Sequence, residues 1–192
     1  MRSVDSVARP CLTMASELLV HGHRRTGTAV AESVLARLEL TPDIDSSRAE
    51  YIAWANLLLG RKEGELAALR KLVLSMQSAR NTSEAETTLR LDQEGRVAVL
   101  VGDTTGAERL DRILAERSRR VLSHPWIRGA LILAQAHIAA GLGQRDQAVE
   151  LLKAASARGL LDLGPSFAFH GDLLLAPLRG YPPFEALLQP DN

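Results

Sequence analysis

The sixteen residues AHIAAGLGQRDQAVEL, 136–151, align with the earlier stretch GRVAVLVGDTTGAERL, 95–110. Both stretches have a small residue in the first position, alanine in the fourth, glycine in the eighth and alanine in the thirteenth. Gly22 and Gly60 also follow an alanine by seven residues, so the four glycines lie 38, 42 and 41 residues apart. A pattern that recurs at a nearly constant spacing indicates an array of structural repeats.

Each of the four glycines lies between two segments whose apolar residues recur at three- and four-residue spacing, which is the pattern of an amphipathic helix. Strands are not expected, because alternating runs of β-branched residues are absent and aromatic residues make up only 4% of the chain. The first helices are predicted at Pro10–His21, Ser47–Leu59, Ala85–Val101 and Pro125–Leu142, and the second helices at Thr28–Leu40, Glu63–Met76, Gly106–Arg119 and Arg145–Arg158. Thr41 and Pro42 are expected to close the second helix of the first pair.

The spacing of small residues resembles the tetratricopeptide repeat, in which position 8 is small, position 15 is glycine and position 20 is alanine. In the fourth unit these positions are Ala136, Gly143 and Ala148. The resemblance implies an all-α fold, a right-handed α–α superhelix of about four helix pairs at residues 8–42, 46–80, 84–120 and 124–160. Spacings of 38 to 42 residues exceed the usual 34 and approach those of HEAT repeats, so another helical solenoid is the alternative.

The first two units match this pattern more loosely. The second has Asn56 at position 11 and Glu65 at position 20, where alanine is usual. In the third unit, positions 20 and 24 are Ala107 and Asp111. The first unit is predicted to carry about two extra residues in its turn, His23–Thr28.

The C-terminal residues 167–188 resemble the segment that ends the tetratricopeptide regions of many bacterial serine/threonine kinases, adenylate cyclases and transcriptional regulators. Pro183 stands where an arginine commonly precedes the phenylalanine of that segment. Residues 161–192 are therefore expected to form a short capping segment that covers the apolar face of the last helix pair. Its covering residues would be Leu173, Leu174, Leu175, Leu178, Phe184, Leu187 and Leu188.

The composition excludes several classes of function. Lys+Arg and Asp+Glu are both 23, and a net charge of zero without charge segregation argues against nucleic acid or an anionic membrane as a partner. The longest apolar stretch, 129–143, falls short of the ~18 residues that a membrane-spanning helix needs. A single cysteine, Cys11, cannot form a disulfide framework, so we expect a cytoplasmic protein.

The residues that could act in catalysis or metal binding have no suitable partner residues near them in the sequence. His21 and His23 have no carboxylate or cysteine close by to complete a metal site. His137 has no neighbouring serine or cysteine and is predicted to be a polar residue that lines a groove. Asp172 is expected to be a helix N-cap. We therefore expect no catalytic residue, no metal and no cofactor.

The resemblance implies that the first helix of each pair lines a concave groove. The five groove residues predicted to contact a partner are Glu50, Trp54, Asp92, Arg96 and His137. Trp54 and Arg96 are of the types most enriched in binding hot spots, although Trp54 could instead pack between helices. The wider set of equivalent positions comprises Leu12, Ser16, Leu19, Leu57, Val99, Leu133 and Ala140.

The sequence thus predicts a non-catalytic module for protein–protein interaction, with a protein or peptide in its concave groove. The resemblance implies a setting in bacterial signalling. One alternative is a homo-oligomer whose groove is filled by another copy, and another is a metal-binding or enzymatic protein.

Overall fold

The fold was obtained as a computed structural model, which describes residues 4–40, 46–77, 83–121, 124–158, 169 and 171–188. Within these ranges the chain is all-α: 85% of the residues are helical and none forms a strand. The predicted helix end at Thr41-Pro42 lies outside the described residues, as do positions 161–168, 170 and 189–192 of the predicted capping segment.

In the described ranges, eight longer helices form four consecutive pairs, as the sequence predicts. The helices are α1 (Val4–Val20), α2 (Arg24–Glu39), α3 (Ser46–Leu58), α4 (Lys62–Gln77), α5 (Glu84–Val101), α6 (Thr104–Arg120), α7 (Pro125–Gly141) and α8 (Arg145–Ser156), followed by a 3₁₀ helix (Leu173–Leu178) and a short α9 (Pro182–Leu187).

The turn between the two helices of each pair has the same structure in all four pairs. The glycine that ends the first helix has a positive φ: 84° at Gly22, 66° at Gly60, 74° at Gly102 and 75° at Gly143. The residue after each glycine donates its backbone N–H to the carbonyl oxygen of the residue five positions before it, as in a Schellman motif. These bonds are His23 N to Leu18 O (2.7 Å), Arg61 N to Asn56 O (2.9 Å), Asp103 N to Ala98 O (2.9 Å) and Gln144 N to Ala139 O (2.9 Å).

Small residues lie where the two helices of a pair approach each other, with Glu65 of the second pair as the exception. The residue seven positions before each turn glycine is buried, and so is the residue five positions after it. The residues before the turn glycines are Ala15, Ala53, Gly95 and Ala136. The residues after them are Gly27, Glu65, Ala107 and Ala148. At Gly27 a Cβ atom would lie 3.0 Å from the Ala15 carbonyl oxygen and 2.8 Å from Leu19 Cγ. In the first pair, glycine therefore allows the close approach that alanine allows in the third and fourth.

Two predicted helix starts are wrong. Helix α1 begins at Val4 and continues through Pro10, which lacks the N–H that would bond to the carbonyl of Ser6. Helix α2 begins at Arg24 instead of Thr28, because His23 already accepts the N–H of Gly27 at 3.0 Å. The two extra residues predicted for this turn are thus part of the helix, and Gly27 takes position 20.

The helices divide into two compact units, Met1–Arg80 and Asn81–Asn192. In the N-terminal unit α3 packs against α1, α2 and α4, and Arg61 pairs with Glu32 of α2 at 3.1 Å. In the C-terminal unit α7 packs against α5, α6 and α8. The boundary predicted between the repeats and the capping segment lies after residue 160. It does not coincide with the division between the two compact units, and it stays a prediction.

The C-terminal elements pack on the last helix pair. Leu175, Leu178 and Phe184 are fully buried in one core with residues of α7 and α8. The Tyr181 hydroxyl donates to the Asp146 carboxylate at the start of α8, and the Arg145 guanidinium lies 6.0 Å from the centre of the Tyr181 ring.

Asp111 interrupts the core of the third pair. It lies nine residues after the turn glycine, where the other pairs have the fully buried Ala31, Leu69 and Leu152. Asp111 Oδ1 is buried and accepts no hydrogen bond. Burial accordingly raises the pKa of this carboxyl group. An ionised carboxylate without a partner at this position costs stability.

The glycine turns give a first prediction. Gly102→Ala should lower the free energy of unfolding by about 1–2 kcal/mol, because alanine is strained at positive φ. A Cβ atom at Gly102 would have no heavy atom within 4 Å, so a steric clash adds nothing. Gly102→Asn is the matched control and should cost less, since asparagine adopts this conformation more readily. Urea denaturation measures both, and equal stability of Gly102→Ala and the wild type would contradict the assignment.

A second prediction concerns the unpaired carboxylate. Asp111→Leu should raise the free energy of unfolding at pH 7 by about 1 kcal/mol, because it removes a half-buried carboxylate and restores the apolar residue of the other pairs. Asp111→Asn, which removes only the charge, should give a smaller gain. Denaturation curves at pH 7 test this, and a loss of stability in Asp111→Leu would show that the carboxylate has a stabilising partner.

Candidate functional site

Helices α5 and α7 approach closely because each contributes a glycine to the contact. A Cβ atom on Gly95 of α5 would lie 2.7 Å from Ile138 Cδ1, and one on Gly141 of α7 would lie 2.6 Å from Val99 Cγ1. These contacts set the two helices side by side, with position 92 of α5 next to position 137 of α7.

His137 is held between two carboxylates from different elements. Its Nδ1 lies 3.1 Å from Asp92 Oδ1 on α5, and its Nε2 lies 2.9 Å from Asp172 Oδ2 at the start of the 3₁₀ helix. The side chains of His137, Asp92 and Asp172 are 9%, 16% and 20% exposed. The imidazole therefore joins α5, α7 and the C-terminal elements at one buried point.

Asp172 has a second role besides its contact with His137. Its Oδ1 accepts the backbone N–H of Leu174 at 2.9 Å, which makes it the N-cap of the 3₁₀ helix and confirms that prediction. One carboxylate thus starts the 3₁₀ helix with one oxygen and attaches it to α7 with the other.

Two side chains of α5 extend the cluster. Arg96 Nη1 donates to Gln93 Oε1 at 3.1 Å, and Gln93 Nε2 lies 3.4 Å from Asp92 Oδ2. The positive charge of Arg96 also acts on Asp172 and lowers its pKa. With His137 protonated, the two cations and the two carboxylates balance. We call Asp92, Gln93, Arg96, His137 and Asp172 the Asp–His–Asp cluster.

The pKa values follow from burial and charge acting in opposite directions. Burial lowers the pKa of His137, but the charges and hydrogen bonds of Asp172 and Asp92 outweigh it and raise the pKa to about 10. Burial likewise raises the pKa of Asp172, yet the His137 charge and hydrogen bond, the Leu174 N–H and Arg96 lower it overall. At neutral pH His137 is therefore an imidazolium and Asp172 an ionised carboxylate.

This geometry limits the chemistry of His137. An imidazolium that donates both N–H groups has no lone pair with which to accept a proton or bind a metal ion. Across the described ranges, no group of three or more His, Cys, Asp or Glu side chains is arranged to hold a metal ion. His21 makes a 3.6 Å contact with Glu17 on the surface of α1. The arrangement around His137 is suited to joining elements of the fold.

The five predicted groove residues fall into the two compact units. Glu50 and Trp54 lie on α3 in the N-terminal unit and are half-buried. Asp92, Arg96 and His137 lie together in the C-terminal unit, where the Asp–His–Asp cluster gives them an internal role that the sequence analysis did not include. Contact of the five with a partner stays a prediction. Four of the wider set are buried, namely Leu12, Ser16, Leu133 and Ala140.

Sequence reasoning missed Asp172 and Gln93 as members of this site. Asp172 lies 35 residues after His137, and its distance in sequence gave no reason to place it there. The contact between Asp92 and His137 joins position 5 of one first helix to position 9 of the next, and the repeat pattern by itself gave no sign of it.

Comparison of the chain with models of protein families, with curated proteins and with solved structures found no match. None of the helices in the described part of the chain combines the length and hydrophobicity needed to cross a bilayer.

A third prediction follows from the pKa of His137. Between pH 6.5, its ordinary value, and about 10, the folded state binds one proton more than the unfolded state. The stabilisation by His137 should therefore be complete below pH 6.5 and fall by about 1.4 kcal/mol per pH unit above it. His137→Gln should remove this slope, so the difference between wild type and variant isolates it in denaturation curves from pH 6 to 10. Parallel curves would contradict the imidazolium assignment.

A control separates the effect of the Asp172 charge from that of its hydrogen bond to the Leu174 N–H. Asp172→Asn keeps an oxygen that can accept the Leu174 N–H but removes the charge, whereas Asp172→Ala removes both. Titration of His137 by NMR should give a lower pKa in both variants, and Asp172→Ala should lose more stability. An unchanged His137 pKa in Asp172→Asn would show that Asp172 does not bind the imidazole in solution.

Proposed function

We propose that the chain is a tetratricopeptide-like, right-handed superhelix that works as a non-catalytic module for protein–protein interaction. The observation that carries this proposal is the repeated turn, with a left-handed glycine and equivalent backbone bonds in all four pairs. Buried small residues at equivalent positions on both sides of that turn, in every pair except the second with its Glu65, support it as well. Repeats of this kind present extended surfaces to partners.

The proposed partner contacts lie on first helices, and each compact unit has its own. In the N-terminal unit they are Trp54, half-buried on α3, and Glu50 one turn before it, and in the C-terminal unit the contact is Arg96 on α5. Asp92 and His137 support this surface from within, because the Asp–His–Asp cluster holds the helix that carries Arg96. The ligand would be a protein or peptide, in a cytoplasmic setting of bacterial signalling.

The state of His137 supports a role without catalysis. A general base needs a free lone pair and a pKa near the working pH, whereas the pKa of His137 is about 10 and both of its nitrogens contact carboxylates. The histidine with the most strongly perturbed environment is thus poorly suited to proton transfer.

The fourth prediction tests the two anchors with matched controls. Trp54→Ala and Arg96→Ala should each reduce capture of a bacterial partner by the immobilised chain about tenfold or more, as loss of a binding hot spot does. The controls are Trp126→Ala, which removes the other, exposed tryptophan, and Arg112→Ala, which removes an exposed arginine of α6. Both controls should retain capture, measured by quantitative pull-down.

Melting temperatures of the same variants distinguish a binding role from a packing role. A large loss of stability in Trp54→Ala with capture intact would assign Trp54 to the core and contradict the proposal. Because Arg96 belongs to the Asp–His–Asp cluster, Arg96→Lys is added, which keeps the charge but loses the planar fork of donors. It should keep most of the stability and still weaken capture.

A further inference from the structure

A cavity of about 290 Å³ lies between α3 and α4 in the N-terminal unit. Buried apolar side chains form much of its wall, namely those of Ala49, Ile52 and Ala68. Glu39, at the end of α2, and Lys71 of α4 line it as well, and both residues are exposed. The cavity thus combines a buried apolar wall with one exposed charge of each sign. We call it the α3–α4 cavity.

Asn56 adds a buried polar group to this cavity. It is 5% exposed, and its Nδ2 donates to the Ile52 carbonyl oxygen at 2.8 Å. Its Oδ1 accepts no hydrogen bond from the residues that the structure describes. A buried carboxamide oxygen costs stability unless a donor reaches it. Because Asn56 lines the cavity, that donor can belong to a bound molecule.

The repeat pattern gives no reason for an asparagine at this position. Four residues before the turn glycine, the first pair has Leu18, the third has Ala98 and the fourth has Ala139. Gly64 provides the space for the carboxamide, because a Cβ atom on this glycine would lie 2.3 Å from Asn56 Oδ1. A buried polar residue that departs from the pattern of its repeats is expected at a functional site.

The two charges of the cavity are available to a ligand. In the described part of the chain, neither Glu39 nor Lys71 takes part in an ion pair or a side-chain hydrogen bond. A carboxylate attracts an ammonium group, and a lysine attracts a carboxylate. A molecule that carries both groups therefore complements the cavity better than a simple amine or a simple acid does.

We propose that the α3–α4 cavity binds a free α-amino acid with a small apolar side chain. The ammonium group of the ligand donates to Asn56 Oδ1 and pairs with Glu39. Its carboxylate pairs with Lys71, and its side chain contacts the wall at Ala49 and Ile52.

The size of the cavity favours a small molecule over another protein chain. Small-molecule sites have volumes of about 300–1,000 Å³, and the α3–α4 cavity, at about 290 Å³, lies at the lower end of that range. Glu50 and Trp54 are on the same helix but do not line the cavity. The inference therefore does not depend on the function proposed above.

The fifth prediction uses L-valine as the probe. Titrated into the isotopically labelled full chain, it should shift the NMR signals of the Asn56 side-chain amide and the Gly64 backbone amide saturably, with a dissociation constant of about 1 mM or lower. Isovalerate lacks the amino group of valine, and isobutylamine lacks its carboxylate. Each should bind at least about tenfold more weakly, because each loses one of the two charged contacts.

Substitution of Asn56 separates ligand binding from folding. Asn56→Ala introduces the residue of the third and fourth pairs, so it should keep or raise the melting temperature. The same variant should abolish the saturable shift of the Gly64 amide. A purely structural role of the carboxamide would instead lower the melting temperature.

The two charges are tested with matched controls. Lys71→Met and Glu39→Gln should each weaken L-valine binding at least about tenfold. Lys62→Met and Glu63→Gln make the same changes at exposed residues in the first turn of α4, outside the cavity, and should leave the affinity unchanged.

Four results would overturn the proposal. The first is the absence of a saturable shift with L-alanine, L-valine and L-leucine alike, up to about 20 mM. The second is binding of isovalerate or isobutylamine as tight as that of L-valine. The third is L-valine binding that Asn56→Ala leaves intact. The fourth is a dimer in analytical ultracentrifugation that Asn56→Ala abolishes, since the occupant would then be a second copy. None of these results changes the outcome expected for Trp54→Ala, so the two proposals fail separately.

Discussion

The left-handed glycine that ends the first helix of each pair is the constraint on which the rest of the structure depends. Its positive φ reverses the chain within two residues, and the Schellman bonds satisfy the last carbonyls of the helix. Because the reversal has the same geometry four times, residues at equal distances from the glycine occupy equivalent places. The buried small residues and the position of Asp111 follow from that equivalence.

The C-terminal unit shows how the same framework carries a different set of contacts. The close approach of α5 and α7 at Gly95 and Gly141 brings two polar side chains together in a largely buried place. Burying Asp92 and His137 is tolerable because charges of both signs are present and hydrogen-bonded. Asp172 then extends the arrangement to the 3₁₀ helix, so that polar and apolar contacts hold the C-terminal elements on α7 and α8.

The sequence predicts the elements well and the long-range contacts poorly. Helix pairs and turn glycines follow from local periodicity and from the need of a left-handed position for glycine. The starts of α1 and α2 do not follow from this periodicity. Pro10 lies inside α1 instead of beginning it, and Gly27 occupies the position at which the repeat has alanine. The pairing of His137 with Asp172 depends on how the chain returns to α7 after α8, and no local pattern encodes that return.

The protonation of the Asp–His–Asp cluster has a consequence for how the C-terminal elements are held. With the pKa of His137 at about 10 and that of Asp172 below its ordinary value, neither group changes its charge in the pH range that cells maintain. The cluster therefore keeps its ion pair throughout this pH range, and acidification of a compartment would not break it. Any movement of the 3₁₀ helix and α9 away from α7 would have to break an intact ion pair, which makes these elements the fixed end of the C-terminal unit.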